Sequence, residues 1–363
     1  QVFLQSKLDL LCQQIKVEKS MNRLTFIGSI QLNSPSTGGG VQTKNQHFLR
    51  YILSKNVDCR VFDTWKKKSV LSLIMSLIYI VRTKRSEPII LSISTRGAYY
   101  IAKILNLTHL KRRIFYWVAG GDLAIDLKNV SLKNRRVYDV FTKVVVQCNY
   151  LKRDLEELSI TNCAMVPNFK PVIFKPTIDK AIFEKIRFVY FSRVLIQKGI
   201  EEIIQAFKSL GNKNICLDIY GTLVPPYDEG YFKDFYYLNI NYKGFLDVSV
   251  EDGYKQLSEY DVLLFPTYFK GEGFPGTLLD AFIAGVPVIA SDFHANGEVL
   301  VDGYNGLLIP PKDAVALSTA MNRLISDIDL RKKLRKNAIL TAREYDVEMI
   351  LDEAFARLKI FED

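Results

Sequence analysis

The chain has 363 residues, of which 48% are hydrophobic and 24% charged, and this balance excludes a disordered or a collagen-like polypeptide. Its length predicts two domains of roughly 150 to 180 residues each. The five cysteines are scattered and never spaced C-x-x-C, which argues against a disulfide framework or a zinc site and favours a reducing, cytoplasmic compartment.

The positive charge of the chain lies in its first half. Residues 1–175 contain 28 Lys and Arg against 11 Asp and Glu, whereas the remaining residues contain 21 against 28. Such an asymmetry predicts that the first half meets an anionic partner, which could be a nucleic acid, phosphate groups or an acidic membrane surface.

The first twenty residues can be interpreted in two ways. Met21 resembles a natural start that runs straight into a buried strand, so residues 1–20 would be an appendage. Apolar residues such as Leu4, Leu8 and Leu11 have helical spacing, which instead predicts a short packed helix. Both interpretations stay open, and the segment lacks the long apolar run and the cleavage site of a secretory signal.

Residues 21–170 alternate short apolar runs with longer helix-like segments. This rhythm is typical of the βαβ units of a parallel sheet and predicts a Rossmann-like first domain of the α/β class. The predicted strands are Leu24–Ile30, Cys59–Phe62, Ile89–Ile93, Ile114–Val118 and Val144–Val146.

Residues 66–85 of this domain have lysines and arginines at both ends of an apolar run that is too short to span a bilayer. Ser69, Ser72 and Ser76 fall on one side of the predicted helix. The sequence favours a helix packed under the sheet, because parallel sheets need helices over both faces. An interfacial helix lying among lipid headgroups is the alternative.

Prolines cluster at residues 167–176, where they stiffen an extended segment and predict the interdomain linker. The βαβ rhythm then restarts and predicts a second Rossmann-like domain over residues 178–340. A helix over residues 341–363 is expected to pack back toward the first domain. The second set of predicted strands is Arg187–Phe191, Cys216–Tyr220, Val262–Phe265, Val286–Ala290 and Leu307–Ile309.

Two loops have features suited to phosphate groups. Residues 36–42 follow the first predicted strand, and Gly39 and Gly40 would let the backbone and a helix N-terminus approach an anion, although a plain tight turn fits as well. Arg193 and Lys198 lie between the first strand and first helix of the second domain, at the edge where ligands bind. Two cations there could stabilise a diphosphate leaving group without a metal.

Two carboxylates follow the predicted strand Val262–Phe265. Glu272 lies in the loop, where it could accept hydrogen bonds from sugar hydroxyls, and Asp280 lies two turns into the next helix, where it could bind the vicinal hydroxyls of a ribose. The competing interpretation is a loop charge and an exposed helix residue. Asp280 is, however, surrounded in the sequence by apolar residues.

The stretch Glu272-Gly-Phe-Pro-x4-Asp280, with AGVPVIASD and EVLVDGYNGLLIP after it, resembles the nucleotide-sugar site of the GT4 family of GT-B glycosyltransferases. Arg193 and Lys198 match that family's diphosphate-binding pair. The resemblance is strong over residues 189–324 and rests mainly on the glycine loop in the first half.

The resemblance implies the GT-B fold, in which two Rossmann-like domains face each other across a cleft. It implies that residues 21–170 bind the acceptor and that residues 178–340 bind the nucleotide sugar. It also implies a metal-independent, retaining transfer of a sugar from a UDP- or GDP-linked donor, with no cofactor because the nucleotide sugar is a substrate. Retention in this family is usually ascribed to front-face attack within an ion-pair-like state, so Arg193 and Lys198 would carry the leaving-group charge.

Other positions take their implied roles from the same resemblance. Glu272 would hold the donor sugar, Asp280 the ribose, and Gly39 and Gly40 would close over the phosphates from the first domain. The remaining donor-site residues that the resemblance implies are Gly221, Gly273, Phe274, Pro275 and Thr277.

The sequence departs from the family's pattern at two positions. The second carboxylate is usually Glu and here is Asp280, one methylene shorter. Many relatives also place a histidine just after the fourth strand of the first domain, where this chain has Ala-Gly-Gly and Asp122. Asp122 is a candidate polar replacement with a catalytic role, and a structural turn after Gly121 is the competing interpretation.

These features predict a cytoplasmic glycosyltransferase, peripheral on the inner face of the membrane, with a lipid-linked glycan acceptor in bacterial surface polysaccharide biosynthesis. Lys66–Lys68, Lys111–Arg113 and Arg135–Arg136 would dock the basic first half on an anionic membrane. The alternative is a non-catalytic GT-B subunit that binds or activates a partner glycosyltransferase. Nucleic-acid binding is not expected, because the sequence has no RNP-like or helix-turn-helix signature.

Overall fold

The computed structural model describes residues 22–31, 40–65, 69–179, 185–211 and 214–362. Residues 1–20 lie outside this part of the chain, so both interpretations of that segment stay open. Gly39 and the Lys66–Lys68 cluster also lie outside it.

Six strands build the sheet of the first domain: β1 (Arg23–Gly28), β2 (Asp58–Asp63), β3 (Ile89–Ser92), β4 (Ile114–Trp117), β5 (Lys143–Val146) and β6 (Cys163–Met165). All neighbours are parallel, in the order β2-β1-β3-β4-β5-β6. Strands β3 and β4 are buried along their whole length, which is what a parallel sheet covered on both faces requires.

The helices of this domain follow its strands in alternation. They are α1 (Gly40–Ser54), α2 (Ser69–Arg82), α3 (Thr95–Leu107), α4 (Leu123–Leu127), α5 (Leu132–Arg135) and α6 (Asn149–Glu157), with a 3₁₀ helix at Arg136–Val140. The Ser94 side chain accepts a hydrogen bond from the Gly97 N–H and caps α3.

Six further parallel strands build the second sheet: β7 (Ile186–Phe191), β8 (Ile215–Tyr220), β9 (Ile240–Gly244), β10 (Val262–Phe265), β11 (Val288–Ser291) and β12 (Gly306–Ile309). Their order is β12-β11-β10-β7-β8-β9. The order reverses between β7 and β10, and such a switch point opens a crevice at the carboxyl ends of the strands. The prediction of two Rossmann-like halves is therefore confirmed.

The second half also contains the longest helix of the described chain, Ile328–Glu344. Its helices are α7 (Ile200–Leu210), α8 (Glu229–Lys233), α9 (Glu251–Ser258), α10 (Gly276–Ile283), α11 (Asn296–Val299), α12 (Ala314–Ser326), α13 (Ile328–Glu344) and α14 (Val347–Arg357), with 3₁₀ helices at Ile196–Lys198 and Tyr236–Leu238.

The segment expected as one helix over residues 341–363 instead contains the end of α13, a break and α14. The Asp346 side chain accepts the Glu348 N–H and starts the new helix at the break. Helix α14 packs against α1, where the Tyr51 hydroxyl donates to Asp352 at 2.7 Å and the Phe355 ring contacts the core of the first domain. The C-terminus thus crosses back over the linker.

Helix α2 differs from the sequence expectation. It buries Ile80 and Ser76 against the first domain, but its opposite side carries large apolar residues that no described residue covers. We name this side the α2 stripe, and its members are 42% to 64% exposed: Leu71, Ile74, Met75, Ile78 and Val81. The prediction of a helix packed under the sheet therefore holds for one face of α2, and the other face is exposed.

Among the helices of the described residues, none combines the length and the apolar character needed to cross a bilayer.

Candidate functional site

A cavity of about 380 Å³ lies between the two domains. Its walls are the segments that follow the carboxyl ends of strands in both sheets, together with the start of α1 and part of the linker. The lining residues fall in segments 40–47, 119–120, 168–170, 191–198, 221–222, 245–249 and 271–280, with Gln147 between them. Two loop systems that are far apart in sequence therefore face one space.

The loop after β7 carries Arg193 at this cavity. Gly221, just after β8, has a φ of +145°, and a Cβ there would overlap the carbonyl oxygen of Ser192. Glycine is therefore required for the two strand ends to lie this close. Arg193 is exposed, and its guanidinium lies 5.7 Å from the centroid of the Phe269 ring, so it is held near the cavity and accessible to a ligand.

Lys198 lies at the end of the 3₁₀ turn that precedes α7. The turn stops at Gly199, whose φ is +80° and whose absent Cβ lets the chain contact the Pro266 carbonyl after β10. Lys198 is buried and forms an ion pair with Glu272. Burial lowers the pKa of Lys198, and the charge of Glu272 opposes that shift.

Glu272 is fixed by contacts from both domains. Its backbone N–H donates to the Phe269 carbonyl at 2.9 Å, and its carboxylate accepts from Lys198 and from the Thr267 hydroxyl at 3.3 Å. Its own carbonyl accepts from the Tyr150 hydroxyl of the first domain at 2.7 Å. The loop that carries the carboxylate is therefore held where the domains meet.

Asp280 lies in the cavity wall and is only 3% exposed. Its Oδ1 accepts from the Lys170 ammonium at 2.5 Å and from the Tyr254 hydroxyl at 2.9 Å. Burial raises the pKa of Asp280, and the Lys170 charge and both hydrogen bonds act in the opposite direction. One oxygen of the carboxylate expected to meet the ribose is thus already engaged by a lysine of the linker.

The other predicted site residues divide into two groups. Gly40, Gly221, Gly273, Phe274 and Thr277 line the cavity together with the charged residues.

Pro275 and Asp122 are not among the lining residues that the structure describes, and Gly39 lies outside the described residues. Pro275 precedes α10 as its N-cap residue. Asp122 precedes α4 and faces the Gly271 loop of the second domain. The pKa of Asp122 is raised by burial and by Asp126, whereas Arg193 acts to lower it.

Three buried polar residues of the first domain, none of them a predicted site residue, also line the cavity: Lys44, His47 and Gln147. Lys44 and Gln147 donate to the same carbonyl, that of Val118, at 3.1 and 3.0 Å. The sequence held one signal for Lys44, since it lies four residues after Gly40 and hence on the same side of α1.

Among the described residues, no group of three His, Cys, Asp or Glu side chains is arranged to hold a metal ion.

Comparison with known proteins extends this description. Residues 176–341 match the family described as Glycosyl transferases group 1. This match runs from the linker through the second sheet and ends within α13. The matched segment of this domain includes Arg193, Lys198, Glu272 and Asp280, which are the charged residues of the second-domain wall.

Relatives of the chain include a capsular polysaccharide glycosyltransferase and an N-acetylgalactosaminyltransferase. The capsular polysaccharide biosynthesis glycosyltransferase CapM of Staphylococcus aureus is 30% identical over 152 residues, which are 41% of this chain and 39% of that protein. N,N'-diacetylbacillosaminyl-diphospho-undecaprenol alpha-1,3-N-acetylgalactosaminyltransferase of Campylobacter jejuni is 34% identical over 102 residues, which are 28% of this chain and 26% of that protein. The chain thus spans less than half of each of these curated relatives.

Solved structures match both domains. HepE of Anabaena in complex with UDP has a TM-score of 0.69 at 14% identity, with 93% of this chain and 99% of that chain covered. Sucrose-phosphate synthase from Thermosynechococcus elongatus has a TM-score of 0.69 at 16% identity, with 94% and 99% covered. At these identities the likeness concerns the fold, and the predicted GT-B fold is confirmed.

Proposed function

We propose that the chain is a retaining, metal-independent glycosyltransferase that moves a sugar from a nucleotide-sugar donor to a lipid-linked glycan acceptor in bacterial surface polysaccharide biosynthesis. The observation that carries this proposal is the convergence of Arg193, Lys198 and Glu272 on one cavity between the domains. The group 1 match of the second domain and the relatives in capsule and glycan synthesis support it.

Arg193 and Lys198 suit the diphosphate of the donor. Both follow β7, so a ligand at the switch point of the second sheet meets two cations at once. As the bond between sugar and diphosphate breaks, negative charge grows on the phosphate oxygens. Cations that are already fixed in place stabilise this charge without reorganisation, which lowers the barrier.

The ion pair between Lys198 and Glu272 supports a simple exchange on donor binding. In the structure each side chain neutralises the other, so neither charge is left unpaired in the cleft. We expect the donor to separate them, with the ammonium binding phosphate oxygens and the carboxylate accepting hydrogen bonds from sugar hydroxyls. An acceptor hydroxyl that attacks from the face of the departing diphosphate would give retention.

The test begins with thermal unfolding in the presence of UDP, GDP and their sugars, because a ligand that binds the native state raises the melting temperature. UDP comes first, since HepE was solved with it. The ligand that stabilises the chain is then assayed for transfer to lipid-diphosphate-linked acceptors, with and without EDTA, and the anomeric coupling of the product is read by NMR.

Arg193→Met is expected to lower the transfer rate about a hundredfold. The matched control, Arg343→Met on the exposed side of α13, should leave the rate unchanged. If no nucleotide stabilises the chain, the proposal fails. Nucleotide binding without turnover on any acceptor would instead favour the non-catalytic GT-B subunit.

We also propose that the first domain docks on an anionic membrane, where a lipid-linked acceptor would be found. The α2 stripe supports this idea, because exposed apolar residues on a helix suit the boundary between headgroups and acyl chains. Residues 64–86 contain six Lys and Arg and no Asp or Glu, and such a charge attracts anionic lipid.

Vesicle sedimentation tests the docking. The chain should bind vesicles that contain phosphatidylglycerol and not neutral phosphatidylcholine vesicles, and Ile74→Ser with Ile78→Ser should weaken this binding about tenfold or more. The control is Val315→Ser, an exposed apolar residue of the second domain. Equal binding to both kinds of vesicle contradicts the proposal, and so does binding that the two substitutions in the α2 stripe leave unchanged.

A further inference from the structure

Lys44 is a buried cation of the cleft. Its side chain is 4% exposed and lies in the cavity wall, and its ammonium donates to the Val118 carbonyl at 3.1 Å. Within the described part of the chain no carboxylate forms an ion pair with it, and burial by itself lowers the pKa of Lys44 to about 7. An ammonium has three N–H donors, so a single carbonyl leaves most of its hydrogen-bonding capacity unused.

The other lysines of the cavity differ from Lys44 in this respect. Lys198 is paired with Glu272 and Lys170 with Asp280, so each of these charges is compensated inside the protein. Burying an uncompensated cation costs free energy, and an apolar side chain of the same length would avoid that cost. An anionic ligand in the cavity is the partner that accounts for a lysine at this position.

Two neighbours of Lys44 suit the same ligand. The first turn of α1, with Gly40 and Val41, lines the cavity, and the positive end of the helix dipole favours an anion there. His47, one turn further, is buried, and its Nδ1 has no hydrogen-bond partner among the described residues. Burial and the charges of Lys170 and Arg50 lower the pKa of His47 to about 3, so it stays neutral near pH 7.

We infer that the first turn of α1, Lys44 and His47 form an anion site on the first-domain wall of the cleft, and that this site binds a phosphate group. The inference rests on the proposed function, because the donor diphosphate is the oxyanion that this cavity is expected to hold. Arg193 and Lys198 would bind the same diphosphate from the opposite wall, so the nucleotide sugar would link the two domains. A phosphate group on the acceptor has the same chemistry and is the second possible source.

The site has a measurable consequence in proton uptake. A bound oxyanion favours the charged form of Lys44 and so raises its pKa, which means that binding near pH 7 takes a proton from the buffer. The other titratable or charged side chains of the cavity are His47, Lys170, Arg193, Lys198, Asp247, Glu272 and Asp280. The pKa of Lys198 is lowered as well, so uptake is assigned to Lys44 only where its removal abolishes the uptake.

The experiment is calorimetric titration of UDP-glucose and GDP-mannose at pH 7 in two buffers of different ionisation enthalpy. These diphosphate diesters have no group that ionises near neutrality. The unaltered chain should take up about half a proton per ligand, since a pKa of about 7 leaves half of Lys44 unprotonated beforehand. Lys44→Met should abolish the uptake and weaken binding about tenfold or more.

Lys44→Arg, which keeps a fixed positive charge, should bind without proton uptake. Lys103→Met, an exposed lysine on α3, is the matched control and should behave as the unaltered chain. Thermal unfolding of each variant shows whether it is folded before the titration is interpreted.

A second titration, of inorganic pyrophosphate into donor-saturated protein, separates the two sources of phosphate. Lys44-dependent uptake with the nucleotide sugar assigns the site to the donor. If that uptake does not depend on Lys44 but the affinity for pyrophosphate does, the site is assigned to an acceptor phosphate. If the nucleotide sugar binds but Lys44→Met changes neither affinity nor proton uptake in either titration, the inference is overturned and the proposed function stands. If neither nucleotide sugar nor UDP or GDP binds, the proposed function fails with it.

Discussion

The two walls of the cleft hold their charges in different ways. In the second domain, Lys198 and Glu272 neutralise each other across two loops of one domain, whereas Lys44 in the first domain has only a carbonyl partner among the described residues. A paired wall is stable before a ligand arrives, but an unpaired buried cation destabilises the empty site. On the proposed function, the same anion would be bound at one wall by exchange of an ion pair and at the other by relief of an uncompensated charge.

The linker between the domains compensates a cavity charge in a third way. Lys170 reaches from the linker to Asp280 in α10, and the backbone around Lys170 hydrogen-bonds to Tyr345 and Val347 at the break between α13 and α14. The charge of Asp280 is therefore compensated from outside its own domain. A rotation of the domains would strain this contact, so the linker couples the cavity to the crossing C-terminal helices.

Breaking the ion pair between Lys198 and Glu272 should have the largest effect on activity and on stability. Lys198→Met is expected to lower the transfer rate about 10²- to 10³-fold, because a fixed cation at the leaving group is lost. It should also lower the free energy of unfolding by about 3 kcal/mol, since the mostly buried Glu272 carboxylate loses its partner.

Adding Glu272→Gln to this variant separates the two effects. The double variant should regain most of the stability in a urea titration and none of the activity. A double variant that stays as unstable as Lys198→Met would mean that the pair is not what compensates Glu272.

The next largest effect is expected at the turn that supports Arg193. Gly221→Ala should lower the free energy of unfolding by about 2 to 3 kcal/mol, because the new Cβ overlaps the Ser192 carbonyl at a φ of +145°. Gly303→Ala is the control, since its φ is +68° and a Cβ there meets nothing within 4 Å. Equal losses of unfolding free energy in the two variants would show that backbone strain at positive φ, and not the overlap with the Ser192 carbonyl, causes the destabilisation.

The contribution of Lys44 to the free energy of unfolding should become more favourable as the pH rises, whereas a lysine in a salt bridge loses its stabilising effect as the pH rises. The pKa of Lys44 is about 7 in the folded chain and 10.5 for an ordinary lysine, so the unfolded chain binds the proton more tightly. The destabilisation is complete below pH 7 and disappears as the pH rises toward 10.5.

Lys44→Met should therefore be more stable than the unaltered chain by about 1 to 2 kcal/mol at pH 6, and by progressively less up to pH 10. Gln147 still donates to the Val118 carbonyl in this variant. Melting temperatures of the variant and the unaltered chain across this pH range measure the difference in stability. A difference that does not change with pH would contradict a lowered pKa of Lys44.

The smallest effect is expected at a contact that joins the domains away from the cavity charges. Glu298 of the second domain accepts the Asn149 and Tyr150 N–H groups at 2.7 and 2.8 Å, and so caps α6 of the first domain. Glu298→Gln should lower the free energy of unfolding by about 0.5 to 1 kcal/mol. Glu157→Gln, exposed at the other end of α6, should not be destabilising, and a loss there of equal size would refute the cap.

Much of the fold could be predicted from local patterns. Runs such as Ile114–Trp117 and Val262–Phe265 are short, apolar and separated by helical segments, and such runs become buried parallel strands wherever helices cover both faces. The glycines and charges that follow these strands, among them Gly221, Arg193 and Glu272, could be assigned to one edge because all parallel strands end on the same side.

Other features needed the tertiary structure. Periodicity showed that α2 is apolar, but not which of its faces the sheet leaves uncovered, and a single predicted helix at the C-terminus became two because Asp346 caps a second one beside Lys170. Asp122 and Pro275 lie within two residues of cavity residues in the sequence, yet neither lines the cavity. Closeness along the chain does not decide which residues of a turn face a cavity.

The sequence by itself determined the two parallel sheets, ten of their twelve strands and the charged residues at their carboxyl edges, because periodicity and strand polarity are local properties. Strands β6 and β9 were not predicted. Only the tertiary structure decided how those charges are compensated: Lys198 by Glu272, Asp280 by Lys170 of the linker, and Lys44 by no described carboxylate. Charge compensation depends on distance and burial between segments up to 110 residues apart, and neither quantity is encoded in the spacing of residues along the chain.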